Sequence, residues 1–295
     1  MIEAELIDVL DVGNTLGEGV LWRETDQSVW WTDIEEKRLH RLSWPSGNLK
    51  IYEVPERLCS FGFVAGDDSR LVCAFESGFA VFQPETRRLE WLARPAELAK
   101  GRRLNDGRVD KDGRFWAGSM LENGGDISTT GLYRLNPDGS AERIVSGVEI
   151  TNGLCWSPNG DRMYFSDSRS GQIYECAPDR VISDARSCKV FAAVSDGSPD
   201  GAVVDKAGRY WSAIWGAGQV RCYGSDGEEL ARISVPAHQP TSLAFGGSEQ
   251  NLIFVTSARV GMGAEMLSLY PKSGSLFVFK SHACGSKNFR YCLKA

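Results

Sequence analysis

The sequence predicts an all-β fold, a six-bladed β-propeller of four-stranded antiparallel blades. Three observations carry that expectation. Strand-like landmarks recur at Trp30, Val72, Trp116, Tyr164, Trp211 and Ile253, 42 to 48 residues apart, a period that belongs to propeller blades. Between landmarks the chain breaks into short strand-like runs separated by Asp/Gly/Ser turns, so each repeat offers about four strands. The 32 glycines and 9 tryptophans favour tight turns and aromatic strands over helices.

In chain order, residues 4–12 (AELIDVLDV) are strand-like but precede the first repeat. They are expected to complete the last blade and so remove an open sheet edge. The first repeat reads GVLWRE, SVWWTDI, KRLHRLSW and NLKIYEVP. The third centres on Leu104 to Met120, where Lys111-Asp112-Gly113 reads as a hairpin turn because Asp and Gly tolerate positive φ. The fifth repeats that unit as GAVVDK, AGRYWSAI, GQVRCYG and EELARISVP. The sixth supplies SLAFG, NLIFVTSA and SLFVFK, leaving its outer strand to the N-terminal segment. Inserts are expected at 121–130, 177–196 and 258–272. The tail 281–295 reads equally as an extra edge strand or as partly disordered. No low-complexity linker splits the chain, so residues 1–295 are expected to form a single domain, and a monomer.

The formal net charge of −6 excludes a general nucleic-acid binder, which needs a basic face. No apolar run approaches the ~20 residues that span a bilayer. The first residues, MIEAELIDVLDVG, carry acids and no basic side chain, unlike a secretory signal, so a cytoplasmic location is expected. The eight cysteines show no CxxC pair. In a reducing compartment they are expected to be small buried hydrophobes rather than disulfides.

The chemistry converges on one position per repeat. Glu18, Ser60, Asn105, Asn152, Asp200 and Thr241 each lie 11 or 12 residues before their landmark. The first strand of a propeller blade lines the central channel, so equivalent positions aim at one small volume. Two carboxylates there would repel and cost several kcal/mol to desolvate unpaired. A divalent cation held by Glu18, Asn152 and Asp200 resolves that conflict. The hard oxygen donors suit Ca²⁺, Mg²⁺ or Mn²⁺, with Zn²⁺ reachable through carboxylates. For a single Asp/Asn-Gly pair, ordinary turn chemistry is the simpler reading; matched offsets across repeats favour the metal. Arg103 and Glu122 lie near the same mouth, and Trp215 either walls it or packs in the core. There is no GxSxG elbow, HExxH pair or GxxxxGK[ST] loop.

LGEGVLW (16–22), RLNDGRVDKDGRFWAG (103–118), ITNGLCWSPNG (150–160), SPDGAVVDKAGRYW (198–211) and FGGSEQNLIFVTSAR (245–259) together resemble the regucalcin/gluconolactonase/luciferin-regenerating family. The segment through MLSLYP is most similar to bacterial aldonolactonases. The resemblance implies a six-bladed propeller holding one divalent cation, often with sugar-lactone hydrolase activity. It implies metal ligands at Glu18, Asn152 and Asp200 and substrate contacts at Arg103, Asn105 and Glu122. It also puts the general base at Asp200. The expected reaction is hydrolysis of an aldonolactone to its aldonic acid, with the cation as Lewis acid. The alternative from another class is a non-catalytic calcium-binding regulatory propeller.

Overall fold

The computed structural model describes residues 3–98, 101–178, 180, 182 and 184–294. An N-terminal strand β1 (Ala4–Leu10) precedes the first sheet, β2 (Gly17–Arg23), β3 (Ser28–Asp33), β4 (Arg38–Ser43) and β5 (Asn48–Glu53). The second sheet is β6 (Leu58–Val64), β7 (Asp67–Phe75), β8 (Gly78–Gln83) and β9 (Arg88–Ala93). The third is β10 (Arg102–Val109), β11 (Phe115–Leu121), β12 (Gly131–Leu135) and β13 (Ala141–Ser146). The fourth is β14 (Thr151–Trp156), β15 (Met163–Asp167), β16 (Gln172–Cys176) and β17 (Lys189–Ala193). The fifth is β18 (Ser198–Val204), β19 (Tyr210–Trp215), β20 (Gln219–Tyr223) and β21 (Glu229–Ser234). The sixth combines β22 (Pro240–Gly246), β23 (Leu252–Ser257) and β24 (Leu276–Ser281) with β1 as its outer strand. These are the blades of a six-bladed β-propeller.

The N-terminal strand behaves as its sequence predicts. It runs antiparallel to β24, from Ala4 opposite Ser281 to Leu10 opposite Leu276. By contacts the chain divides into two compact units, Met1–Glu53 with Val194–Lys287 and Val54–Ala193 with Asn288–Ala295. The first unit holds the first, fifth and sixth sheets, and the second holds the other three.

A shared polar device explains why the third and fifth repeats look alike. In the third sheet Asp110 Oδ2 accepts from Arg114 Nε at 2.6 Å and from Trp116 Nε1 at 2.7 Å, while Oδ1 accepts from the backbone N–H of Asp112 and Arg114. In the fifth sheet Asp205 does the same for Arg209, Trp211 and the backbone of Ala207 and Arg209. One buried carboxylate thus closes the hairpin and ties down the tryptophan behind it, satisfying donors that burial would otherwise orphan. Gly113 at φ +73° makes that turn possible. Between blades the core is aromatic. In the first unit Trp22 stacks on Phe254 with centroids 5.5 Å apart, in a cluster with Val20, Val29, Trp31 and Val278.

Three expectations are refined. The 177–196 segment is not all insert, because β17 lies inside it as the outer strand of the fourth sheet. Cys176 at the end of β16 and Cys188 just before β17 have Cα atoms 5.5 Å apart and form a disulfide, contrary to the reduced state expected. Antiparallel pairing of β16 with β17 is what brings them within bonding reach. Cys59, Cys73, Cys155 and Cys222 are buried thiols, as expected. The 121–130 and 258–272 segments carry a 3₁₀ turn (Ile127–Thr129) and the short helix α1 (Ala264–Leu269).

The tail is neither a regular edge strand nor loose over its described length. Cys284 and Gly285 bond to Lys206 and Gln250 within the first unit. In the second unit Tyr291 exchanges backbone bonds with Phe63 and Ala65, and its hydroxyl donates to Asn136 O at 2.7 Å. Among the described residues, no helix is long and apolar enough to cross a membrane.

Candidate functional site

The six offset-matched positions share one backbone feature. The first strand of every blade slips register against its neighbour, between Glu18 and Leu21, Leu58 and Ser60, Leu104 and Gly107, Asn152 and Cys155, Pro199 and Ala202, and Pro240 and Leu243. A bulge of this kind re-aims the side chain beside it. Gly19 (φ +59°) and Gly153 (φ +64°) take the left-handed conformation just after Glu18 and Asn152. The glycine after Glu18 and the one after Asn152 are therefore more than turn chemistry, since they let a strand bulge beside an oxygen-bearing side chain.

In the second unit the structure brings four expected site residues into one polar cluster. Arg103 Nη1 donates to Asn105 Oδ1 at 2.6 Å and to Leu104 O at 3.0 Å. Asn105 Nδ2 donates to Asn152 Oδ1 at 2.9 Å and to Thr151 O at 3.0 Å, and Asn152 Nδ2 donates to Ser168 Oγ at 2.8 Å. Arg103 Nε lies 3.7 Å from Glu122 Oε1. Both amide hydrogens of Asn105 are thus used inside the protein, which leaves a lone pair of its Oδ1 to offer a ligand. Ser60 Oγ donates to Asn105 O at 2.8 Å from the neighbouring strand.

Asp106, to which the sequence assigns no role, is a buried strut of this cluster. Its Oδ1 accepts from Gly107 N at 2.9 Å and its Oδ2 from Leu154 N at 3.1 Å, so it ties the β10 bulge to the β14 bulge that carries Asn152. Burial pushes its carboxyl above the usual range, against the opposing pull of Arg108 and the backbone N–H groups. Arg57 and Glu76 were also missed. Arg57 Nη1 lies 2.7 Å from Glu122 Oε1 and Arg57 Nη2 2.8 Å from Glu76 Oε2. The hydrogen bond from Arg57 holds the Glu122 carboxyl below its ordinary range.

In the first unit Glu18 and Asp200 are both buried, and the residues next to them, Gly17 and Gly201, meet Thr241 and Ser242 of β22. On one side Thr241 Oγ1 donates to the carbonyl of Gly17. On the other, Gly201 packs so closely that a Cβ there would sit 2.8 Å from Ser242 Cα. Glu18 Oε2 also accepts from Gly19 N at 3.1 Å. Trp215 is half-buried at the end of β19.

Among the described residues no group of three or more His, Cys, Asp or Glu is arranged to hold a metal. The expected set contains two acids and an amide, so it is not such a group. Its chemistry fits a hard cation, since the donors are two buried carboxylates and an amide oxygen with one lone pair engaged by Asn105.

Residues 16–259 match the model of the SMP-30/gluconolactonase/LRE-like region. The chain belongs to that family. Among its relatives in the family, L-arabinolactonase of Azospirillum brasilense is 35% identical, over 95% of this chain and 93% of that protein. The 6-deoxy-6-sulfogluconolactonase of Pseudomonas putida is 34% identical, over 92% of this chain and 93% of its own length. Among solved structures, a regucalcin from Agrobacterium tumefaciens, described as a calcium-binding protein, superposes with a TM-score of 0.89 at 27% identity, covering 97% of this chain and 98% of that one.

Proposed function

We propose that this member of the SMP-30/gluconolactonase/LRE-like family is a sugar lactonase that opens aldono-1,4- or 1,5-lactones, of pentonic or hexonic type, to aldonic acids. One divalent cation would be held by Glu18, Asn152 and Asp200. The observation that carries the reading is the hydrogen-bonded line from Arg103 through Asn105 to Asn152. It couples a cationic side chain to an amide oxygen on a bulge of the same kind as those beside the buried carboxylates Glu18 and Asp200.

The cation, when bound, supplies Lewis-acid polarisation of the lactone carbonyl. Asp200 takes the proton of the attacking water, a role a carboxylate fills within hydrogen-bond reach of that water. Arg103 is fixed on its Nη1 side by Asn105, and its remaining edge orients the lactone oxygens and steadies developing negative charge. Glu122, which carries charge at neutral pH, accepts from a sugar hydroxyl. Lactones open readily, so positioning and charge stabilisation suffice without a covalent nucleophile. The reading treats the chain as one functional domain acting in the cytoplasm.

The test is a pH-indicator screen of pentono- and hexonolactones with chelated protein, resupplied with Ca²⁺, Mg²⁺, Mn²⁺ or Zn²⁺ one at a time. Turnover restored by metal supports the reading. The likeness to a calcium-binding regucalcin favours one second reading, a non-catalytic calcium-binding protein. Calcium binding without turnover on any lactone in the panel would select it.

A further inference from the structure

Glu122 does not stand alone at its site. Its Oε1 is approached from two sides, by Arg57 Nη1 at 2.7 Å and by Arg103 Nε at 3.7 Å. Arg57 is itself fixed from behind. Its Nε and Nη2 both lie 2.8 Å from Glu76 Oε2, and its backbone N–H donates to Glu76 Oε1 at 3.3 Å. The backbone of Glu76 in turn donates to Arg57 O at 2.9 Å. Arg57 enters from the start of β6 and Glu76 from the end of β7, while Glu122 follows β11, so two sheets hold one carboxylate. Both guanidinium approaches end on Oε1, and the Glu122 side chain keeps 28% of its surface exposed. Glu122, Arg57 and Glu76 line a depression of about 350 Å³ together with Arg102 and Gly101.

We propose that Arg57, braced by Glu76, is a positioning residue that makes Glu122 the specificity determinant of this site. Arg57 fixes one carboxylate oxygen so that the other reads a single hydroxyl of the ligand. The proposal deepens the lactonase reading and rests on it for the nature of the ligand. The physical case is one of preorganisation. A glutamate on a loop loses side-chain freedom when it accepts a hydroxyl, and a forked guanidinium held by a second acid removes that freedom beforehand. A fixed, charged acceptor also discriminates steeply, because a ligand lacking the hydroxyl leaves it unpaired. Glu76 balances the charge that Arg57 would otherwise add, so the guanidinium acts as a brace and not as an anion receptor.

The experiment compares wild type, Arg57→Ala and Arg57→Lys in the full chain with divalent metal added. The substrates are one hydrolysed aldonolactone and its series of monodeoxy analogues. For the parent lactone, Arg57→Ala should raise KM roughly tenfold with kcat within about threefold. It should also erase the wild-type penalty against one deoxy analogue, and Arg57→Lys should restore part of the difference. Equal losses of kcat on every lactone, or unchanged discrimination, overturn the proposal. Should the wild type hydrolyse no lactone, the functional reading fails but the brace is still measured. The Glu122 side chain faces Arg57 and Arg103, and its ¹³C titration midpoint should lie below the usual glutamate range and rise in Arg57→Ala. A midpoint that does not move overturns the proposal as well.

Discussion

His40 gives the protein a defined acid sensitivity. It lies on β4 only 3% exposed, stacked on Trp31 with ring centroids 4.8 Å apart, and its Nδ1 has no hydrogen-bond partner among the described residues. Burial first, and the charge of Arg38 second, push its pKa down to about 4. The unfolded chain titrates this ring near pH 6.5, so between these two values the unfolded state binds more protons than the folded one. The folded pKa is depressed, so the contribution of His40 is intact above about pH 6.5 and falls away as the pH drops toward 4. At 1.36 kcal/mol per pH unit the full loss is about 3 kcal/mol, with about 2 kcal/mol of it present by pH 5. Replacing His40 by Phe keeps an aromatic ring on Trp31 and removes the titration. Thermal melts of both proteins from pH 7.5 down to pH 4.5 should show a gap in Tm that widens on acidification. At pH 5 the wild type should have lost ~4–8 °C relative to His40→Phe, at ~2–4 °C per kcal/mol. Carboxylates that titrate in the same range affect both proteins and cancel in the difference. A gap of constant size from pH 7.5 to 4.5 would show that His40 is not held neutral by burial.

Other perturbations test other parts of the molecule. Asp200→Asn should cut lactone turnover by roughly 10²–10⁴-fold, the range for loss of a general base, with the melting curve little changed; steady-state rates at saturating metal measure it. Adding Ca²⁺ at about 100 times its dissociation constant should stabilise the chelated protein by about 2.7 kcal/mol, read as a rise in Tm, and no rise with any divalent metal would remove the cation from the site. Tyr291→Ala should cost about 3–5 kcal/mol in urea unfolding, because the ring is fully buried against Val64, Phe115 and Leu135. Tyr291→Phe should cost only about 1 kcal/mol, the hydrogen bond to Asn136 O.

The sequence carried the blade count and the matched positions because both follow from local repetition. Each repeat restates an oxygen-bearing residue at a matched distance before its landmark strand, and the third and fifth share a buried Asp and Trp pair, so spacing alone locates them. It carried the N-terminal strand because AELIDVL has strand character but no partner within its own repeat. The pairing of Arg57 with Glu122 was not legible, since the two are 65 residues apart and join different sheets; no periodic signal links them. Asp106 was hidden by its setting, an Asn-Asp-Gly run that reads as a turn until β14 is seen donating to its carboxylate. The Cys176–Cys188 bond escaped because a separation of 12 residues has no distinctive motif, and its geometry depends on β17, which sits inside a polar segment.

The register slip beside Glu18, Asn152 and Asp200 also occurs beside Ser60 and Thr241, where the side chain is only a hydroxyl. Presentation is therefore a property of the backbone, and chemical identity is left to one exchangeable residue per blade. A scaffold built this way can be re-purposed by point substitution, swapping the atom on display while every strand stays where it is.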